Sequence, residues 1–353
     1  MPFKVVVIGG GGVFGAHVTG LLRREPGIDA IVVGRAALDV HAPDLPTRLA
    51  ALAPDAVVHC AGPFQGHDYH VAEAAIACGA HYCDLADASA FVAGIGTLNE
   101  RALARDRLVV AGASSVPGLS SAVVESLRGE FTRIDAIDVG ISPGNRAPRG
   151  DATVASILSG AGRPHAAWRG GEWRFARGWT RLRRFRFREP AGERWLADCE
   201  VPDVALFPAC YGVRDRVTFG AGLELRRLQF GLAAIAHVVE LGLWRHPEKH
   251  AATLRRISEW WLAAGSDVGA MFVRVEGALA DGARHARTWQ LIARAGDGPN
   301  VPAAVSVAIV RALARGTLAT RGAMPCLGVV SLAEVLDVLA PFAIETSVER
   351  SLS

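Results

Sequence analysis

The segment VVVIGGGGVFGAHV, residues 5–18, sets four consecutive glycines between an aliphatic run and a stretch with helical spacing. Residues 4–8 read as a central parallel strand, apolar on both faces. Val13, Phe14, Val18, Leu21 and Leu22 recur at the period of a helix. Between them Gly10, Gly12 and Gly15 fit the pattern G-x-G-x-x-G, with Gly9, Val13 and Phe14 in the same turn. The first glycine permits a tight turn, the second lets a pyrophosphate approach the backbone, and the third lets helix and strand pack closely. A glycine motif alone is equally a structural turn. A strand before it, a helix after it and a second strand some twenty residues on make it a dinucleotide site.

The end of that second strand, AIVVGR at residues 30–35, selects the cofactor. A carboxylate there binds ribose hydroxyls and repels a 2′-phosphate. This chain has Gly34 and Arg35 instead, and a guanidinium pairs with the extra phosphate, so NADP (NADPH) is expected over NAD. Asp39 reads either as a displaced acidic residue or as the end of a short third strand, which leaves no room for a helix between strands two and three. Alternation then continues: a fourth strand at residues 56–62, a helix at 67–78, a fifth strand at 81–86, a mostly helical stretch at 88–105 and a sixth strand at 108–113. The expected fold class is α/β: an N-terminal Rossmann, doubly wound parallel sheet and a second mixed α/β domain. Ligands in such sheets bind beyond the carboxyl ends of the strands.

AGPFQGHDYHVAEAAIACGAHYCDLAD (61–87) and AGASSVPGLSSAVV (111–124) resemble the saccharopine dehydrogenase-like family. Similar phrases recur at residues 143–158, 264–277 and 297–305, so the resemblance extends over most of the chain. It implies an NAD(P)-binding domain followed by a domain that supplies substrate contacts and often a dimer interface, here a homodimer. It implies that Gly10, Gly12 and Gly15 bind phosphate, that Arg35 meets the 2′-phosphate, and that Ala61, Gly62, Pro63 and Phe64 line the nicotinamide side. The short segment after Arg35 departs from the family's pattern. The implied division is 1–120 for cofactor binding, 121–330 for substrate and dimerisation, and 331–353 as a C-terminal helix and tail.

In the second domain, Asp151 reads as an N-cap before a helix. Arg146 and Arg149 precede it in a loop suited to an anionic end of the substrate, and equally suited to two solvated arginines. Residues 163–194 interleave arginines with Trp168, Trp173, Trp179 and Phe185, which reads as a sheet edge or dimer-facing hairpin rather than a nucleic-acid platform. The formal charge of +3 implies no nucleic-acid partner. Residues 271–279 and 285–295 read as a hairpin turning at Asp281 and Gly282. Residues 302–315 and 331–339 read as helices. FGLAAIAHVVELGLW, 230–244, is shorter than the roughly 20 residues of a membrane span and reads as a buried helix.

Hydride transfer to C=O or C=N needs a proton donor or polarising group near the nicotinamide. Tyr82 and Asp84, at a strand end, are the first candidates, with Asp87, His67 and Tyr69 nearby; each is equally a satisfied core or capping residue. Ser114 and Ser115, after the sixth strand, could hold the carboxamide. No tyrosine-x-x-x-lysine pair or HExxH occurs. Lysine appears only at positions 4 and 249, which leaves anion binding to arginine. The six cysteines lack metal-ligand spacing, and no export leader is recognised, so a cytoplasmic location is expected. Two functions remain open: an NADP-dependent oxidoreductase reducing a small carbonyl, imine or activated alkene, and a non-catalytic NADP-binding sensor or scaffold.

Overall fold

The computed structural model describes residues 1–36 and 38–351. The chain opens with β1 (Phe3–Ile8), α1 (Val13–Leu22), β2 (Ile28–Val33), α2 (Leu45–Ala51), β3 (Ala56–His59), α3 (His70–Ala77), β4 (His81–Asp84), α4 (Ser89–Gly94), α5 (Asn99–Leu103) and β5 (Leu108–Ala111). There follow α6 (Ser120–Arg128), β6 (Arg133–Ser142), α7 (Asp151–Gly160), β7 (Pro164–Arg169), β8 (Glu172–Arg177), β9 (Leu182–Arg186) and β10 (Glu193–Asp198). Then come α8 (Pro202–Tyr211), β11 (Arg216–Ala221), α9 (Arg226–Glu240), α10 (Ala251–Glu259), β12 (Gly269–Ala278) and β13 (Arg284–Ala293). The last elements are α11 (Asn300–Ala314), β14 (Gly322–Pro325), α12 (Leu332–Leu339) and β15 (Ile344–Ser351).

Two compact units result. The first joins Met1–Ala122 to Pro299–Pro341, and the second joins Val123–Gly298 to the segment from Phe342 onward. Residues 299–330, expected in the second domain, thus belong to the first, and the expected C-terminal tail is split between the two. The reason is α11, whose residues from Val301 to Val310 are almost all buried. A helix that is apolar on nearly every side needs cover all round. It finds cover in the first unit, where Asn300 Oδ1 lies 2.8 Å from His17 Nδ1 and Arg311 Nε donates to Glu25 at 2.8 Å.

The first unit is a six-stranded sheet in the order β14-β5-β4-β3-β1-β2, parallel throughout. Val5, Val6 and Val7 are completely buried, as a central strand of such a sheet requires. Residues 38–39 are not a strand but part of a loop, and α2 supplies the connection between β2 and the strand at Ala56, which is therefore the third of the sheet. The sixth strand is instead β14, paired with β5 as Ala323 opposite Val109. Ser331 and Glu334 form a reciprocal capping box that starts α12.

The second unit is a mixed sheet in the order β15-β13-β12-β6-β11-β10-β9, with the β7–β8 hairpin joined through β11. The β12–β13 hairpin turns where expected, Gly282 taking φ +82°. β9, from the basic stretch, is an edge strand. Residues 230–244 are not wholly buried. Leu232, Ala233 and Ala236 of α9 face inward, whereas Phe230, Leu241 and Leu243 are 43%, 72% and 76% exposed. Helical periodicity turns only one side of that run toward the core. Among the described residues no helix is long and apolar enough to cross a membrane.

Close packing of α1 on β1 rests on Gly15, where a Cβ would lie 2.2 Å from the Gly9 carbonyl oxygen and 2.7 Å from Gly10 Cα. Both obstacles are backbone. Gly15→Ala should therefore destabilise the first unit by about 1–3 kcal/mol. Gly11→Ala, where nothing lies within 4 Å, should change stability by under about 0.5 kcal/mol. Urea unfolding of the two variants checks the contrast.

Candidate functional site

The turn after β1 is built from glycine because the chain folds over itself there. Gly9 takes φ +75°, its N–H donates to Val33 O at 3.0 Å, and its carbonyl accepts from Gly12 N at 2.9 Å. A Cβ on Gly9 would meet Ala61 N at 2.8 Å, and one on Gly10 would meet Val32 Cγ1 at 2.8 Å. Gly11 and Gly12 are exposed. Gly12 caps α1 with no side-chain hydrogen bond, and no acidic residue stands in the first turn. The first-turn N–H groups of a ten-residue helix, at Val13, Phe14 and Gly15, are thus offered to an anion with the positive end of the helix dipole behind them. These residues fit the pyrophosphate of a dinucleotide.

Gly34 and Arg35 follow β2 and are exposed, and among the described residues no acidic side chain is in ion-pair contact with Arg35. Asp39 turns back to its own loop, its Oδ1 accepting from His41 N at 3.1 Å. The guanidinium is therefore available to an added phosphate, and no strand-end carboxylate opposes it.

Beyond β3, Gly62 and Pro63 are exposed, Ala61 is half-buried, and Phe64 turns inward, 4% exposed, with its ring edge-on to His59 at 5.0 Å. Behind this loop lies a buried polar chain. The Tyr82 hydroxyl is 3.1 Å from His59 Nδ1. Asp84 Oδ1 accepts from Gly112 N at 2.8 Å and Ala86 N at 2.9 Å, tying the end of β4 to the end of β5. Among the described residues, Asp84 Oδ2 and His59 Nε2 are buried with no hydrogen bond of ordinary geometry. Tyr82 is 2% exposed and Asp84, the last residue of β4, is fully buried, so the two expected proton donors are covered rather than open to solvent. A four-residue strand buried on both faces carries its polar residues in with it.

Burial governs the ionisation of this chain. It raises Asp84 to about 7, against the lowering effect of the two N–H groups and the nearby Tyr82 hydroxyl. It raises Tyr82 well above its ordinary value, reinforced by Asp84. His59 is lowered to about 3 by burial, with His67 and His41 adding repulsion. His67, half-buried with its ring 6.4 Å from that of His59, is lowered by burial and by His41. Neither His59 nor its contact with Tyr82 was visible in the sequence, where the histidine reads as one more residue of an aliphatic strand. Ser114 and Ser115, after β5, are half-buried.

In the second unit the loop after β6 holds Arg146 and Arg149 against backbone carbonyls. Arg146 donates to Leu262 O at 3.4 Å and Ala263 O at 3.3 Å, and Arg149 donates to Asn145 O at 2.6 Å. Arg146 remains exposed, whereas Arg149 is half-buried and its pKa is lowered by that burial. Asp151 is not the N-cap of α7; Gly150 holds that place, and the Asp151 carboxylate pairs with Arg255 at 2.5 Å.

No family model and no curated protein matches the chain. Among solved structures it is similar to saccharopine dehydrogenase (L-Glu forming) from Saccharomyces cerevisiae, with a TM-score of 0.68 at 12% identity, covering 99% of this chain and 100% of that one. It also matches the C. glutamicum DAP dehydrogenase in complex with DAP, with a TM-score of 0.47 at 14% identity, covering 96% of this chain and 98% of that one. The fold expected from the family-like phrases is therefore the fold found: that of saccharopine dehydrogenase, a Rossmann-like parallel sheet with a second mixed sheet.

The shifts in the buried chain oppose one another. Asp84 is raised in the folded state, so its contribution to stability is full below pH 4 and is lost as pH rises toward about 7. His59 is lowered, so its contribution grows as pH rises from about 3 toward its unfolded value. Relative to the parent, Asp84→Asn should lose only the first of these. The stability of the parent minus that of the variant should fall between pH 4 and 7 and then level off, as read by urea unfolding at intervals across that window.

Proposed function

We propose that this chain is an NADP-dependent oxidoreductase that reduces a small carbonyl, imine or activated alkene. The observation that carries the reading is the uncapped N-terminus of α1 beside an unopposed Arg35. Gly10, Gly12 and Gly15 let the pyrophosphate lie against the helix amides, and Arg35 pairs with the 2′-phosphate. NADPH, when bound, supplies the hydride. Ala61, Gly62, Pro63 and Phe64 wall the nicotinamide side, and the Ser114 and Ser115 hydroxyls orient its carboxamide. Tyr82 and Asp84 are too deeply buried to touch a substrate, and act as positioning residues through His59 and the Gly112 backbone. His67, half-buried in the loop beside His59, and the exposed His41, whose ring lies 5.5 Å from that of His67, are the titratable groups of this cluster open to solvent. Arg146 and Arg149 are proposed to meet an anionic end of the substrate, Arg146 being the more available.

A second reading, an NADP-binding sensor or scaffold without turnover, draws support from that same burial of Tyr82 and Asp84. A screen of NADPH oxidation against imines, 2-oxo acids and enoyl compounds separates the two. Turnover with one class establishes the reductase, whereas tight NADPH binding without turnover in any class establishes the sensor. A homodimer in the cytoplasm belongs to the same proposal, and light scattering on the purified chain checks its oligomeric part.

The choice of cofactor has its own test. Arg35→Asp should weaken NADPH binding by about ten- to hundredfold while leaving NADH binding unchanged or improved, since it removes a charge-assisted pair and adds a like charge. Titration of nicotinamide fluorescence reads both. Equal loss for the two cofactors would show that the arginine does not select the 2′-phosphate.

A further inference from the structure

The second unit carries a charge imbalance that the proposed reduction does not use. A cavity of about 450 Å³ opens against β9, β10 and β11, and Arg169, Arg181, Arg183 and Asp198 line it. Asp198, the last residue of β10, has a side chain only 7% exposed, and it receives two guanidinium groups: Arg169 at 2.5 Å and Arg183 at 3.0 Å. Arg181 lines the same space, is exposed, and has no ion pair among the described residues. Three cations therefore face one carboxylate.

The other arginines of the cavity are balanced. Arg216 pairs with Asp138 at 2.9 Å and Glu276 at 3.0 Å, Arg274 pairs with Glu276 at 2.8 Å, and Arg184 lies over the Trp195 ring at 5.7 Å. Asp215 also lines the cavity, 3.7 Å from Arg216, and Glu193 lies 3.7 Å from Arg184, so the unmatched positive charge sits at the end formed by Arg169, Arg181 and Arg183, where Arg181 has no carboxylate in contact among the described residues. The same cavity has an aromatic side. Phe185 stacks on Phe272 with ring centroids 3.7 Å apart and planes 5° from parallel, and both rings line the space.

We propose that this cavity binds a small phosphate monoester bearing a planar apolar group, with the phosphate bridging Arg169, Arg181 and Arg183 and the apolar part on Phe185. A phosphate monoester carries roughly one and a half to two negative charges near neutrality, and guanidinium forks suit its oxygens. Burying a second counter-ion here relieves the repulsion between two guanidinium groups that share one carboxylate. The site is independent of the nucleotide site at α1, and it would stand if that reading failed.

Calorimetric titration of the full chain with inorganic phosphate and with phenyl phosphate, at constant ionic strength, tests it. Both should saturate, with phenyl phosphate binding at least about threefold tighter because of its contact with Phe185. Arg181→Gln removes an exposed, unpaired side chain and should not disturb folding. It should weaken both probes by about tenfold and leave the NADPH fluorescence titration unchanged. Phe185→Leu should abolish the advantage of phenyl phosphate, and Arg35→Asp should alter neither probe. No saturation by about 20 mM, or equal binding to the parent and Arg181→Gln, would overturn the site. A phenyl advantage that survives in Phe185→Leu would overturn the aromatic contact.

Discussion

The first unit depends on how near a helix can come to the strand that precedes it. α1 lies against the backbone of the β1 turn with no side chain between them at Gly15, whose missing Cβ would overlap the Gly9 carbonyl. That approach aims the first-turn amides of α1 at the exposed Gly11–Gly12 surface, and it leaves the Gly9 backbone touching the Ala61 loop. The exposure of those amides and the close approach of the Ala61 loop thus both rest on how little bulk the glycines of this turn carry.

A second constraint is electrostatic, and it lies under the loops. Among the described residues Asp84 has no counter-ion in contact, and two backbone N–H groups from different segments hold its carboxyl. Burying such a group costs free energy unless it stays protonated or its oxygens are satisfied, and the shift to about 7 shows the cost divided between the two. What the carboxyl provides is geometry. Gly112, at φ +80°, and Ala86 are fixed at the ends of neighbouring strands, where the loops bearing Ser114 and Asp87 begin. The Arg311–Glu25 pair, with side chains 14% and 10% exposed, does comparable work for α11, but there both charges are matched.

How much of this was legible in the sequence follows from the nature of each signal. β1, β3 and β5 were readable because a strand buried on both faces must be an apolar run, and the glycine turn because few other backbones can make it. β14, GAMP, was not readable: four residues with no β-branched side chain become a strand only because the β5 edge awaits a partner. In its place the sequence suggested a strand ending at Asp39. Of the site, the glycines and Arg35 stand where their spacing placed them. The depth of Tyr82 and Asp84 was hidden, since polar residues at a strand end signal exposure, and only the neighbouring strands and loops enclose them. The carbonyls that occupy Arg146 and Arg149 come from over a hundred residues away and from Asn145, and no local pattern announces them.

The pairing of β14 with β5 also bears on how the molecule is made. Residues 112–321 must leave the ribosome before Gly322 can dock beside Leu108, which at ordinary elongation rates takes on the order of ten to forty seconds. Throughout that interval the nascent sheet ends in a naked apolar strand without its neighbour, the sort of border that recruits other chains. Newly made protein is thus most exposed to wrong association before Gly322–Pro325 appears, and a chaperone that shields Leu108–Ala111 would act at that moment.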